Sequence, residues 1–178
     1  RQYLRMREIT VGMYTEYALF DVTHQTRTDD ILWTDPDVRR LMTMCANIIG
    51  WSNDVFSYRK EQAVGDPHNL VLLLSAERGF SLAEAVAETI DMHDLEMGRF
   101  LELEELVRAR PSANEQAVSD LLGLMRSWIR GNIDWAYSSE RYGLEGTACG
   151  EWAERPRQPP LSSSMSGFLQ KMSPRQTI

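Results

Sequence analysis

Asn53-Asp54-Val55-Phe56-Ser57-Tyr58-Arg59-Lys60-Glu61 places three oxygen-bearing side chains, Asn53, Ser57 and Glu61, at positions i, i+4 and i+8. At about 100° per residue, each four-residue step drifts by only about 40°, so in a helix all three share one stripe. An amide carbonyl, a hydroxyl and a carboxylate then line up. Helical side chains lean toward the amino terminus, so the long Glu61 can reach back while the short Ser57 sits between. One small hard cation could bind all three. Mg²⁺ fits, because it prefers oxygen, takes few protein ligands and completes its octahedron with phosphate and water. Upstream the stripe continues through Ile49, Ala46 or Cys45, and Met42, all apolar. One face therefore passes from hydrocarbon-facing to cation-binding, which suits a substrate with an apolar chain and an anionic head. The same residues would equally suit the solvated face of an ordinary amphipathic helix, and spacing alone leaves both open.

Outward from this stretch the periodicity stays helical. The stretch itself belongs to a helix predicted from about Asp37 to Ala63, ending near Gly65, Asp66 and Pro67. Ahead of it, Met6, Ile9, Met13, Tyr17 and Phe20 recur at three- and four-residue steps and predict one buried face. Thr26 to Pro36 reads as a loop with a Thr-Asp-Pro turn. Downstream, Asn69 to Arg78 is a short helix closed by Gly79, and Ser81 with Glu84 makes a capping box. That box opens a helix through Leu82, Val86, Ile90, Met97 and Leu101. Pro111 separates it from a last long helix, roughly Asn114 to Tyr142. His68 is expected to cap or anchor the turn before its helix, and His93 to be a satisfied core histidine. There is no strand alternation and no internal repeat. From Gly143 the composition shifts to Gly, Pro, Ser and Arg and reads as a disordered tail.

Bulk composition narrows the class. The chain has 178 residues, 43% hydrophobic and 25% charged, which is the globular range and enough to bury a core. A net charge of −7 argues against a nucleic-acid partner and suits a collector of divalent cations. Cys45 and Cys149, the two cysteines, indicate neither a disulfide framework nor a zinc site, and a reducing cytoplasm is the expected setting. No run reaches the roughly 18 apolar residues of a membrane span, so no membrane partner is expected.

The segment matches, at Asn53, Asp54, Ser57, Lys60 and Glu61, an Asn-Asp pair followed by Ser and then Lys-Glu. It resembles the NSE-type metal motif of bacterial class I terpene synthases. Gly65-Asp66-Pro67-His68-Asn69-Leu70-Val71 looks like that family's usual sequel. Trp128-Ile129-Arg130-Gly131-Asn132-Ile133-Asp134-Trp135, then Arg141-Tyr142, resembles its closing helix and Arg-Tyr pair. Arg7 lies 46 positions ahead of Asn53, where the family places its diphosphate-sensing arginine, followed by Thr10, Val11 and Gly12 as linker and effector. The resemblance covers Arg7 to Tyr142. It implies an all-α antiparallel helical bundle of the class I terpenoid synthase type. Residues 1–145 would form the carboxy-terminal part of the catalytic domain, and residues 146–178 a tail. The family's Asp-rich motif is absent. Asp29-Asp30 follows Arg7 in a predicted loop and reads as solvated charge. An amino-terminal part carrying that motif is expected to be missing, and this polypeptide alone is expected to be inactive.

The resemblance also implies a mechanism. Three Mg²⁺ ions would bind an isoprenyl diphosphate, most simply farnesyl diphosphate, one of them through Asn53, Ser57 and Glu61. Arg7, Lys60 and Arg141 would add positive donors and Tyr142 a hydroxyl, stabilising charge on the leaving diphosphate. Val11 would carry the effector carbonyl, with Gly12 permitting an irregular backbone. Ile49 and Trp135 would line the substrate pocket, with Tyr14, Phe20, Trp51 and Trp128 as further aromatic candidates, although aromatics at helical spacing are commonly core. Alternatives are a cyclase of geranyl or methylgeranyl diphosphate, an inactive truncated relic and a helical interaction module. A chain-elongating prenyl transferase would carry two Asp-rich motifs and no such segment, and is disfavoured. Oligomeric state stays open, a homodimer included.

Overall fold

The computed structural model describes residues 2–24, 34–111 and 115–142. Among these the secondary structure is helical throughout: α1 (Gln2–Thr10), α2 (Met13–His24), α3 (Pro36–Val64), α4 (Leu70–Arg78), α5 (Leu82–Ala109), α6 (Glu115–Ser138) and a 3-10 turn at Glu140–Tyr142. Most of the expected loop with Asp29-Asp30, together with Cys149 and the expected tail, lies outside the described residues. The chain forms two compact units, Arg1–Gly50 with Leu95–Ile129, and Trp51–Asp94 with Arg130–Ile178. Among the described residues no helix is long and apolar enough to cross a membrane.

In the first unit, α3 starts where Asp35 Oδ1 accepts the backbone N–H groups of Asp37 at 2.8 Å and Val38 at 3.2 Å. Pro36 suits the first helical position, because a helix has no internal partner for an N–H there. Arg110 ties the end of α5 to this cap through Asp35 and Asp37, both at 3.1 Å. The core is built on helical spacing: Tyr17 and Phe20 from α2, Leu41, Met42, Cys45 and Ile48 from α3, and Leu121, Leu122, Met125 and Ile129 from α6 are buried. Each large apolar side chain so enclosed contributes about 1.5–3 kcal/mol. Polar atoms inside are paired: the Tyr17 hydroxyl donates to the Met42 carbonyl at 2.9 Å. Glu104, 1% exposed, is held by Arg108 at 2.9 Å and Arg126 at 2.7 Å.

Two sequence expectations are corrected. The single buried face from Met6 to Phe20 fails in its first half, where Met6 is 38% and Ile9 67% exposed. The helix breaks at Gly12, whose φ of +90° takes the backbone out of helical phase, so side chains before it no longer align with those after. The last helix also stops early, at Ser138. There the Trp135 carbonyl still accepts the Ser139 N–H at 2.8 Å, with the Ser138 hydroxyl as a longer second donor at 3.4 Å. Arg141 and Tyr142 sit in the 3-10 turn that follows.

In the second unit, α3 closes with two reversed bonds, Asp66 N–H to Glu61 O at 2.9 Å and Gly65 N–H to Gln62 O at 3.2 Å. Gly65 supplies the left-handed residue this closure needs, at φ +74°. Asn69 caps α4 and Gly79, at φ +68°, ends it. The expected capping box is present: Glu84 accepts from the Ser81 N–H at 2.9 Å, and Ser81 Oγ accepts from the Glu84 N–H at 3.3 Å.

Candidate metal centre

Glu61 and Ser57 are brought together by a residue from the next helix. The side-chain nitrogen of Asn69 lies 2.7 Å from Glu61 Oε2 and 3.3 Å from Ser57 Oγ. Two of the three oxygens that share the α3 stripe therefore lie within hydrogen-bond reach of one atom. Ser57 is buried, while Asn53 and Glu61 are half-buried, so the stripe is no ordinary solvated face. Asp54, 1% exposed, faces elsewhere: its Oδ2 accepts the Leu70 N–H at 3.0 Å and helps cap α4.

Asn53 is held from the other end of the chain. Its side-chain nitrogen donates to the Tyr142 hydroxyl at 2.7 Å, which leaves the amide carbonyl as the oxygen a cation would use. Tyr142 stacks on Phe56 at 6.2 Å and meets Trp135 edge-on at 5.9 Å, and the Arg141 guanidinium lies 5.8 Å over the Trp135 ring. Thus Asn53, Trp135, Arg141 and Tyr142 gather in the same unit as Ser57 and Glu61. Trp135 is 46% exposed, so it is no core aromatic. Lys60 is exposed on α3 beside Glu61. Asp66 accepts the His68 N–H at 2.9 Å and its ring nitrogen at 2.8 Å, which holds the Asp66 carboxyl below its ordinary value and anchors the turn.

Arg7, Val11, Gly12 and Ile49 belong to the first unit. Arg7 Nη2 donates to the Gly50 carbonyl at 3.3 Å. A methyl on Gly50 would meet Arg7 Cγ at 3.4 Å and Val11 Cγ2 at 3.7 Å, so both side chains lie directly over that glycine. Ile49 is buried. Of the aromatic candidates there, Phe20 is core, Trp128 packs edge-on against Tyr17 at 5.4 Å, and the Tyr14 hydroxyl donates to Glu8 at 2.9 Å. Trp51, in the second unit, is also buried. Burial pushes the Cys45 thiol up to about 12 and Tyr17 well above its usual value, so neither ionises inside this apolar wall. His93, 3% exposed, pairs with Asp94 at 2.9 Å in the second unit.

Chemically, the stripe fits Mg²⁺ rather than a softer ion: it offers only oxygen, one carboxylate among them, and two of its oxygens already converge on one donor. Among the described residues no three His, Cys, Asp or Glu side chains come together. Asp54 and Asn69 were not singled out as site residues from the sequence. An Asn just before an apolar helical run does signal a cap, but nothing local says that the same amide reaches back to the preceding helix.

A family model described as "Terpene synthase family 2, C-terminal metal binding" matches residues 1–99. Germacrene A synthase of Nostoc punctiforme is 34% identical over 140 residues, 79% of this chain and 43% of that relative. The (+)-T-muurolol synthase ((2E,6E)-farnesyl diphosphate cyclizing) of Roseiflexus castenholzii is 31% identical over 140 residues, again 79% and 43%. Among solved structures, a variant of cucumene synthase is similar at a TM-score of 0.69 and 27% identity, over 79% of this chain and 48% of that one. An α-eudesmol synthase follows at 0.65 and 28%, over 78% and 45%. The chain spans less than half the length of each.

Proposed function

Since the chain belongs to the terpene synthase family and has its all-helical fold, we propose that it forms the diphosphate-holding part of a terpene cyclase acting on farnesyl diphosphate. The observation that carries this is the convergence of Ser57 and Glu61 on one Asn69 nitrogen, with Asn53 bonded to Tyr142 in the same unit. Relatives named for cyclising farnesyl diphosphate support that substrate over geranyl or methylgeranyl diphosphate.

Asn53, Ser57 and Glu61 would hold one Mg²⁺, and three ions are expected in the complete enzyme. Bound Mg²⁺ supplies Lewis-acid stabilisation of the diphosphate oxygens. Arg141 offers a forked cation and Lys60 a point charge to the same anion, and Arg7 would add a second fork. Tyr142 accepts from Asn53, so what its hydroxyl offers a diphosphate is its proton. The allylic carbon–oxygen bond breaks with both electrons going to the diphosphate. The carbon left behind is cationic and is attacked by a double bond of its own chain; loss of a proton then gives a cyclic hydrocarbon. Apolar surface around the substrate chain would keep water from that cation, with the half-exposed Trp135 as the lining candidate in the unit that holds the stripe. Val11 and Gly12, at the break between α1 and α2, are the effector candidates. Because the match covers only 43% of the Nostoc punctiforme relative, the chain by itself is expected to bind Mg²⁺ and diphosphate without turnover.

The test is product analysis. The full-length gene product is incubated with Mg²⁺ and geranyl, farnesyl or geranylgeranyl diphosphate, and volatiles are identified by gas chromatography. A sesquiterpene from farnesyl diphosphate is expected, reduced at least about 100-fold by Glu61→Ala. No terpene from any of the three would overturn the assignment.

A further inference from the structure

Asn69 is 0% exposed and makes more polar contacts than capping a helix requires. Its Oδ1 accepts the N–H groups of Val71 at 2.9 Å and Leu72 at 3.4 Å, and its Nδ2 lies 2.8 Å from the Asp54 carbonyl. Backbone N–H groups only donate and carbonyls only accept, so this amide has one acceptable orientation. Flipping it would set nitrogen against nitrogen and oxygen against oxygen. The cap of α4 therefore fixes which way the amide nitrogen points, and it points at Glu61 Oε2, 2.7 Å away, and Ser57 Oγ, 3.3 Å away. Its two protons serve the short contacts to Glu61 and Asp54, and Ser57 shares one of them. The connection between the helices is pinned at both ends, since the Glu61 carbonyl accepts the Asp66 N–H at 2.9 Å while the Glu61 side chain meets Asn69.

We infer that Asn69 is the positioning residue of the cation site: it holds the Glu61 carboxylate and the Ser57 hydroxyl in the register one cation needs, and the α4 cap locks it in place. This rests on the reading of Asn53, Ser57 and Glu61 as cation ligands. Glu61 is a long side chain near the end of α3, with several rotamers open to it. An amide fixed by backbone groups removes that freedom before the cation arrives. The role is one of placement, since Asn69 acts on the cation through Glu61 and Ser57.

Asn69→Ser separates the two duties. Serine is a comparable helix cap, but it is too short to reach Glu61 and carries no amide protons. The readout is the binding of Mn²⁺, standing in for Mg²⁺, with inorganic diphosphate to the full-length gene product, followed by electron paramagnetic resonance. Asn69→Ser should weaken Mn²⁺ binding about 10- to 100-fold, the usual effect of losing a group that orients a metal ligand. Gly79→Ala is the comparison, since it strains the far end of α4 without touching the stripe; its Mn²⁺ affinity should match the parent protein despite a lower melting temperature. Should Asn69→Ser not fold, Asn69→Thr keeps a capping hydroxyl with more volume and is read in the same way. An unchanged affinity in the Asn69 variant, with binding lost in Glu61→Ala, would overturn the role of Asn69 and leave the cation site standing. Equal weakening by Gly79→Ala would also overturn it, because general loss of helix stability would then suffice. Undiminished binding in Glu61→Ala would remove the cation site and this inference together.

Discussion

The Asn53 side chain donates to the Tyr142 hydroxyl at 2.7 Å, joining α3 to the final 3-10 turn across 89 residues of chain. Packing fixes the ring and the hydrogen bond fixes its tip: Tyr142 stacks on Phe56, which in turn meets Tyr137 edge-on at 5.2 Å. A neutral hydrogen bond of this kind is worth about 1 kcal/mol. Tyr142→Phe keeps the stacking and removes the acceptor, so Mg²⁺-dependent affinity for inorganic diphosphate should fall about 5- to 10-fold, with the melting temperature little changed. Titration calorimetry beside a thermal melt checks both.

Glu104 is the buried charge on which the first unit depends. It is 1% exposed, between Arg108 and Arg126, whose side chains are 39% and 40% exposed. Removing one member of a buried ion pair costs about 3–5 kcal/mol. Glu104→Ala should fall near about 3 kcal/mol, because both arginines can turn to water once released. Urea unfolding should report it as a lower midpoint.

Asp35 gives a pH signature. Burial raises its carboxyl, but the Val38 and Asp37 N–H groups and the Arg110 guanidinium outweigh that and hold it below the ordinary value. A depressed folded-state value contributes stability that is fully present above the unfolded value near 4 and is lost as pH falls through the folded value. Asp35→Asn keeps the capping oxygen and loses the charge. The variant should therefore be less stable than the parent at pH 7, by under about 1 kcal/mol for so exposed a pair, and the difference should close below about pH 4. Denaturation midpoints from pH 7 to pH 3 measure this.

Gly12 tests the break between α1 and α2. With φ at +90° and no atom within 4 Å of the place a methyl would take, the cost of Gly12→Ala is backbone strain alone. That cost should be about 1–2 kcal/mol, or the helices should rejoin into one. An increase in circular-dichroism helicity would mark the second outcome.

Much of the fold was legible because local signals carry it. The apolar spacing of α6, the Ser81–Glu84 box and the glycine after Arg78 each specify an element on their own. The site stripe was legible too, since four-residue spacing on one helix is a local property. The errors came where local patterns ran on past a geometric change. The apolar spacing from Met6 to Phe20 continues through Gly12, yet the left-handed residue there puts Met6 and Ile9 toward solvent. No Gly or Pro stands between Gly131 and Gly143, so the end of the last helix at Ser138 carries no strong stop signal. Asn69 illustrates what spacing cannot contain: a cap is a local reading, but its bond to Glu61 depends on how the turn at Gly65 folds α4 back toward α3.

The most direct test of the metal centre is calorimetric titration of Mg²⁺ into the protein with inorganic diphosphate present, for the parent chain and for Ser57→Ala and Glu61→Ala. A saturable heat in the parent is expected, much weakened in Ser57→Ala and abolished in Glu61→Ala. Indistinguishable heats in all three would contradict the assignment of these side chains to a Mg²⁺ site.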